Sequence, residues 1–197
     1  MYQNDPKRVL TPECRASYAN LVTPKTPLNN PSAEPKYSVT LLIPKTPAIK
    51  AELDAAQEAA ALEAINSKWG GVRPPRIDSV IHDGDGVRAN GEPFGPECRG
   101  CYVIKASSRN KPYVCEIDNT ACELAPTDIY SGMYGRASIN FYGYNSAGKR
   151  GVGCGLRGFM KTREGEPLSA AVVTASEFAG VGIQPAPAIN PLTGMPM

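Results

Sequence analysis

The chain has 197 residues, 42% of them hydrophobic and 20% charged, so it can bury a core and is not a disordered polymer. One histidine and one tryptophan argue against chemistry built on several histidines, and no apolar run is long enough to span a bilayer. The net charge of +2 hides a gradient: residues 46–97 carry five basic and nine acidic side chains, whereas residues 98–163 carry ten and four, with six of the nine tyrosines.

Taken in chain order, the N-terminus MYQNDPKRVL lacks the apolar segment of a secretory signal, which predicts a cytoplasmic protein with its six cysteines reduced. Residues 9–22 read as an opening strand with an irregular centre, followed by a Pro-rich connection. From Lys36 to Ile43 the residues alternate, Tyr37, Val39, Leu41 and Ile43 against Ser38 and Thr40, as in a half-buried strand. The period then changes. Thr46 can cap a helix, Pro47 suits its first turn, and the Ala/Glu-rich run carries Ile49, Leu53, Ala56, Ala60 and Ala64 as one stripe, with Leu62, Ile65 and Trp69 beside it. Gly70 and Gly71 end it. The acids Glu52, Asp54, Glu58 and Glu63 predict that this helix lies away from any nucleic acid.

Residues 71–98 read as loop. Cys101 to Ser108 reads as a strand, and 109–130 as a hairpin or a long loop. Residues 133–144 and 149–161 read as two strands joined by a turn at Asn145 to Gly148. Beyond Pro167 the chain is rich in Ala, Gly and Pro and poor in charge. This predicts one domain over 1–168 and a flexible tail over 169–197.

The strand MYGRASINFYGYN sorts its residues most sharply. Gly135, Ala137, Ile139, Phe141 and Gly143 share one face and suit a barrel interior. Tyr134, Arg136, Ser138, Asn140, Tyr142 and Tyr144 share the other. Three aromatics on a solvent-facing strand suit base stacking, worth about 1–3 kcal/mol per base whatever the sequence. The alternative is cross-strand aromatic packing under a loop or the tail, and stacking is the reading preferred here. On the return strand Val152, Cys154 and Leu156 face the core, while Gly151, Gly153 and Gly155 face out. Close approach of a ligand, or a bend with a bulge near Arg157–Gly158, would each explain the glycines. Lys149 and Arg150 at the turn, with Arg157 and Lys161 beyond it, could track phosphates.

Other motifs fall short of their chemistry. Gly143 to Arg150 matches a phosphate loop until Arg150 replaces the magnesium-binding Ser or Thr, and strands flank it on both sides. Cys98, Cys101, Cys115 and Cys122 lack the second close pair of a zinc ribbon, so free structural thiols are expected and no metal. The Asp83–Gly86 run departs from the calcium-loop pattern at Val87 and Arg88 and reads as a polar turn. His82 reads as a surface or loop histidine. No catalytic set and no cofactor emerge.

The order EPKYSVTLLIPK, an Ala/Glu-rich helix ending in KWGG, HDGD, GCYVIKASSRNKP and YSGMYGRASINFYGYNSAGKRGVGCGLRGFMKTREGEPLS resembles a family of phage-encoded single-stranded DNA-binding proteins over roughly residues 7–180. The resemblance implies a mainly β OB-fold, a five-stranded Greek-key barrel with an inserted helix and long loops. It also implies a coat on single-stranded DNA in replication or recombination, in the cytoplasm of a bacterial host. Under it, Lys105, Ser107, Arg109 and Lys111 fall on one binding element, and Tyr134, Arg136, Asn140, Tyr142 and Tyr144 on another. Replication or recombination proteins of phage or host become candidate partners, no membrane is involved, and monomer and dimer both stay open. The helix departs from the usual fold by following the second recognisable strand instead of the third. Two rivals remain: an RNA-binding protein using the same surface, and a barrel whose tyrosine face docks protein.

Overall fold

The computed structural model describes residues 5–27, 31–146 and 149–168. The expected C-terminal tail, 169–197, lies outside the described residues. The elements are β1 (Arg8–Leu10), β2 (Cys14–Lys25), β3 (Lys36–Pro44), α1 (Pro47–Ser67), β4 (Ile81–Asp83), β5 (Cys101–Ser108), β6 (Tyr113–Glu116), β7 (Tyr134–Ser146) and β8 (Lys149–Arg163), with short 3-10 turns at Pro96–Cys98 and Pro126–Asp128.

Strand pairing runs β7–β2–β3–β5–β8, and β8 pairs back onto β7. Five strands therefore close a ring. All its pairings are antiparallel except β5–β8, which is parallel. This is the five-stranded barrel of the OB-fold. The remaining strands lie outside the ring: β1 on β7, β4 on β5 and β6 on β8.

The single opening strand expected over 9–22 is two strands. The break falls at Thr11 to Glu13, where buried Thr11 bonds β7 twice. Its N–H donates to the Ala137 carbonyl (3.0 Å), and its Oγ1 accepts from the Ala137 N–H (2.9 Å). Residues 71–98 are not all loop, since β4 joins the sheet. Residues 109–130 form no hairpin, because β6 runs parallel to β8 and not back onto β5.

The helix departure is real. Only β2 and β3 of the ring precede α1, so the helix is inserted between the second and third barrel strands. Thr46 Oγ1 accepts from the Ile49 N–H (3.2 Å) and caps it. Ile49, Leu53, Ala56, Ala60, Ala61 and Ala64 are buried in the main core with Trp69, Leu41, Ile104, Ile139, Phe141 and Phe159. Leu62, expected beside the stripe, is instead 53% exposed, because it lies on the far side of the helix from Ala60 and Ala64. Small residues let the helix approach: a Cβ on Gly143 would stand 2.1 Å from the Ala64 Cβ. No helix among the described residues is long and apolar enough to cross a membrane.

Candidate nucleic-acid interface

Strand β7 alternates as its sequence predicts. Gly135, Ala137, Ile139, Phe141 and Gly143 are buried, while Tyr134, Arg136, Ser138, Asn140, Tyr142 and Tyr144 lie on the outer surface. The β7–β8 register sets Tyr144 opposite Gly151, Tyr142 opposite Gly153 and Asn140 opposite Gly155. The register slips between Ser138 and Ile139, which leaves Arg157 as the extra residue on β8. The bulge therefore falls where the glycines suggested.

The glycines have a further purpose. A Cβ on Gly153 would stand 2.7 Å from Cζ of Tyr142, and one on Gly151 2.6 Å from the Tyr144 hydroxyl. Each phenol ring thus lies across its cross-strand glycine instead of standing off the sheet. Neither ring packs on another aromatic among the described residues, so cross-strand aromatic packing does not account for them. Tyr142 remains 39% exposed, and burial pushes its phenol up, so it stays neutral. The backbone beneath is tied down from the helix side. Lys68 Nζ donates to the Gly143 carbonyl (2.8 Å), and Trp69 Nε1 donates to that of Tyr144 (2.9 Å).

A row of small polar residues crosses the barrel from this platform. In register, Asn140 faces Gly155, Gly155 faces Ser107, Ser107 faces Ser38, and Ser38 faces Asn20. All five are partly accessible. The row spans four strand spacings, about 19 Å. Exposed Lys105 faces Thr40 beside it, and the charge of Arg109 reaches Tyr142. Lys149 and Arg150 are exposed at the adjoining hairpin end.

Other predicted residues lie elsewhere or are engaged. Tyr134 is eight residues from Tyr142, about 26 Å along the strand. The Arg163 guanidinium covers its ring at 3.5 Å, and that of Arg15 lies at 5.6 Å. Exposed Arg136 is near Glu13, whose carboxyl is held below its ordinary value by hydrogen bonds from Thr162 and Arg163, with the Arg136 charge adding to them. Arg109 pairs with Glu34 (2.9 Å) and Lys111 with Glu123 (2.5 Å), all exposed, so a phosphate would have to displace these acids. Arg157 is exposed on the bulge. Lys161 is buried, bonded to the Asp128 carbonyl and to Glu164, and supports the fold.

Sequence reasoning passed over Lys25 and Lys36. They face each other in register, and neither meets a carboxylate among the described residues. Like charges directly opposite are unfavourable unless an anion joins them. The other motifs resolve into structure. Asp83 and Asp85 both grip Lys45, and Asp85 accepts from the Gly100 N–H (2.9 Å), so the DGDG run is a turn clamp. All six cysteines are free; burial pushes the Cys14 thiol up to about 12 and that of Cys98 to about 11. No group of three or more His, Cys, Asp or Glu able to hold a metal occurs among the described residues.

The chain resembles known phage proteins in sequence and in fold. A family model described as "Enterobacter phage Enc34, ssDNA-binding protein" matches residues 7–186. A relative described as "Putative protein p50", from Acyrthosiphon pisum secondary endosymbiont phage 1, is 31% identical over 153 residues, covering 72% of this chain and 77% of its own. The solved single-stranded DNA-binding protein of bacteriophage Enc34, in complex with ssDNA, superposes with a TM-score of 0.66 at 28% identity, covering 83% of this chain and 90% of the other. The single-stranded DNA-binding protein gp2.5 of bacteriophage T7 shares the fold, with a TM-score of 0.54 at 16% identity over 92% of this chain and 98% of its own.

Proposed function

The chain belongs to the family of the Enterobacter phage Enc34 ssDNA-binding protein, and from that premise we propose that it coats single-stranded DNA across the Tyr142–Tyr144 platform and the polar row beside it. The observation that carries this reading is the pair of tyrosines lying across Gly153 and Gly151, Tyr142 exposed and Tyr144 partly so. A ring already laid down on the sheet loses little further freedom when a base stacks on it. The row Asn140, Ser107, Ser38 and Asn20 offers amides and hydroxyls but no fixed pattern that would read one base. Lys105, Arg109, Lys149, Arg150, Lys25 and Lys36 supply charge for the phosphates. Arg157, Lys111, Arg136 and Tyr134 belong to the outer parts of the path.

The work is equilibrium binding, not catalysis: the face holds bases unpaired by offering contacts that duplex DNA cannot use. The family match favours this reading over RNA binding and over docking of protein on the tyrosines. The cytoplasm of the bacterial host, during phage replication or recombination, is the setting it fits. We also propose the division into a binding domain over 1–168 and a tail over 169–197.

The test is fluorescence anisotropy of a labelled oligothymidine titrated at two salt concentrations. Binding should be tight at low salt, fall as salt rises, and be competed poorly by duplex. No binding at low salt would overturn the assignment of this face to nucleic acid.

A further inference from the structure

Tyr18 is the one non-glycine residue with positive φ among the described residues, at +48°. It sits in β2 where the register against β3 slips, with Ser17 facing Thr40 and Asn20 facing Ser38. Four residues of β2 therefore span the distance of three on β3, which is a bulge. The left-handed position of such a bulge ordinarily belongs to glycine, because a Cβ crowds the following carbonyl there.

The fold gains little from a tyrosine at this point. The residue is 70% exposed, so burial does not offset the backbone strain. Its neighbours fix the bulge instead. Asn20 Nδ2 donates to the Tyr18 carbonyl (3.1 Å) and reaches Ser38 Oγ (3.3 Å), while the Ala19 N–H donates to Ser131 Oγ (3.0 Å). A strained residue held by its surroundings, with its ring presented to solvent, asks for a ligand.

Its place in the sheet says which ligand. Asn20, two residues on, begins the polar row that ends at Asn140 beside Tyr142. One exposed tyrosine therefore flanks each end of a row about 19 Å long. The in-register pair Lys25 and Lys36 lies on the same two strands, on the opposite side of Asn20 from Tyr18. We infer that Tyr18 is a second stacking anchor, holding a base at the end of the bound DNA strand opposite Tyr142. This rests on the single-stranded DNA reading above.

The experiment uses the full chain and an oligothymidine of about 16 nucleotides, the upper end of an OB-fold footprint. Tyr18→Trp should bind with near-native affinity, and its emission should be quenched on titration beyond any change in the wild type, whose single tryptophan, Trp69, is buried. Tyr18→Gly should melt no lower than the wild type, since glycine relieves the strained φ, yet bind about 5- to 150-fold more weakly. Tyr18→Phe should bind like the wild type. An unquenched Tyr18→Trp with native affinity in Tyr18→Gly would overturn the anchor and leave the DNA reading standing. Absence of wild-type binding by anisotropy would overturn both.

Discussion

Adding one methyl group at Gly153 tests whether the ring of Tyr142 is held where DNA needs it. A Cβ there would stand 2.7 Å from Cζ, 2.8 Å from the hydroxyl and 2.9 Å from Cε2 of Tyr142. Ordinary carbon contact is about 3.5–4 Å, so the ring must lift by roughly 1 Å. Gly153 has no positive φ, so alanine fits the backbone, and glycine in a strand interior is itself destabilising by roughly 0.5–1 kcal/mol. The thermal midpoint of Gly153→Ala should therefore stay close to that of the wild type. Loss of the whole stack, as in Tyr142→Ala, should weaken binding by about 1–3 kcal/mol. A displaced ring keeps part of that, so Gly153→Ala should lose about 1 kcal/mol, roughly fivefold in Kd. Anisotropy at one fixed salt concentration measures each variant. In the Tyr142→Ala background Gly153→Ala should have no further effect, because the two changes act on one ring. Native affinity in both single variants, or losses that simply add in the double variant, would refute the platform.

Changing Lys149 and Arg150 together to alanine should flatten the dependence of log K on log salt by about 1.4, at roughly 0.7 per phosphate contact; an unaltered slope would remove both from the phosphate path. Gly143→Val would push a side chain into the Ala64 Cβ, 2.1 Å from the position of its own Cβ, and should destabilise by about 1–3 kcal/mol in denaturant titrations. Acid should weaken the fold through its clamped carboxylates: Glu13 is held down by Thr162 and Arg163, Glu58 by Arg73, Asp83 and Asp85 by Lys45, and Glu164 by Lys161 and Tyr130. Their folded pKa values lie below the ordinary 4.5 and 3.8, so this stabilisation is complete above those values and is lost as pH falls through the lowered ones. Melting temperatures should be level above about pH 5 and drop below about pH 4.5; a level profile down to pH 3 would contradict these pairings.

What the sequence disclosed is what local periodicity encodes. The two-residue alternation of β7 placed Phe141 inside and Tyr142 outside, and the 3.6-residue stripe from Ile49 to Ala64 placed the helix, because each pattern records burial directly. Features set by partners distant in the chain were not legible. The break between β1 and β2 depends on Thr11 bonding Ala137, and β6 exists only because β8 offers a parallel edge. Tyr134 carries the same pattern as Tyr142, yet Arg163 covers one ring and glycine underlies the other. Tyr18 was hidden by its own bulge, which breaks the alternation that would have marked an outward residue.

The glycines of the β7–β8 hairpin serve its two faces in opposite senses. On the inner face Gly143 admits Ala64, which brings α1 close enough for Lys68 and Trp69 to bond the carbonyls of Gly143 and Tyr144. On the outer face Gly151 and Gly153 of β8 let the tyrosines of β7 lie down across them. The helix thus braces β7 from behind, and three of its four acids are paired. Asp54, Glu58 and Glu63 are paired with Lys50, Arg73 and Lys7, and the barrel wall stands between α1 and the rings. A helix inserted after the second barrel strand would otherwise be an acidic burden on a DNA-binding barrel. Here it fixes the backbone that carries Tyr142 and Tyr144, so the proposed stacking surface is organised before DNA arrives and little ordering remains to weaken the complex.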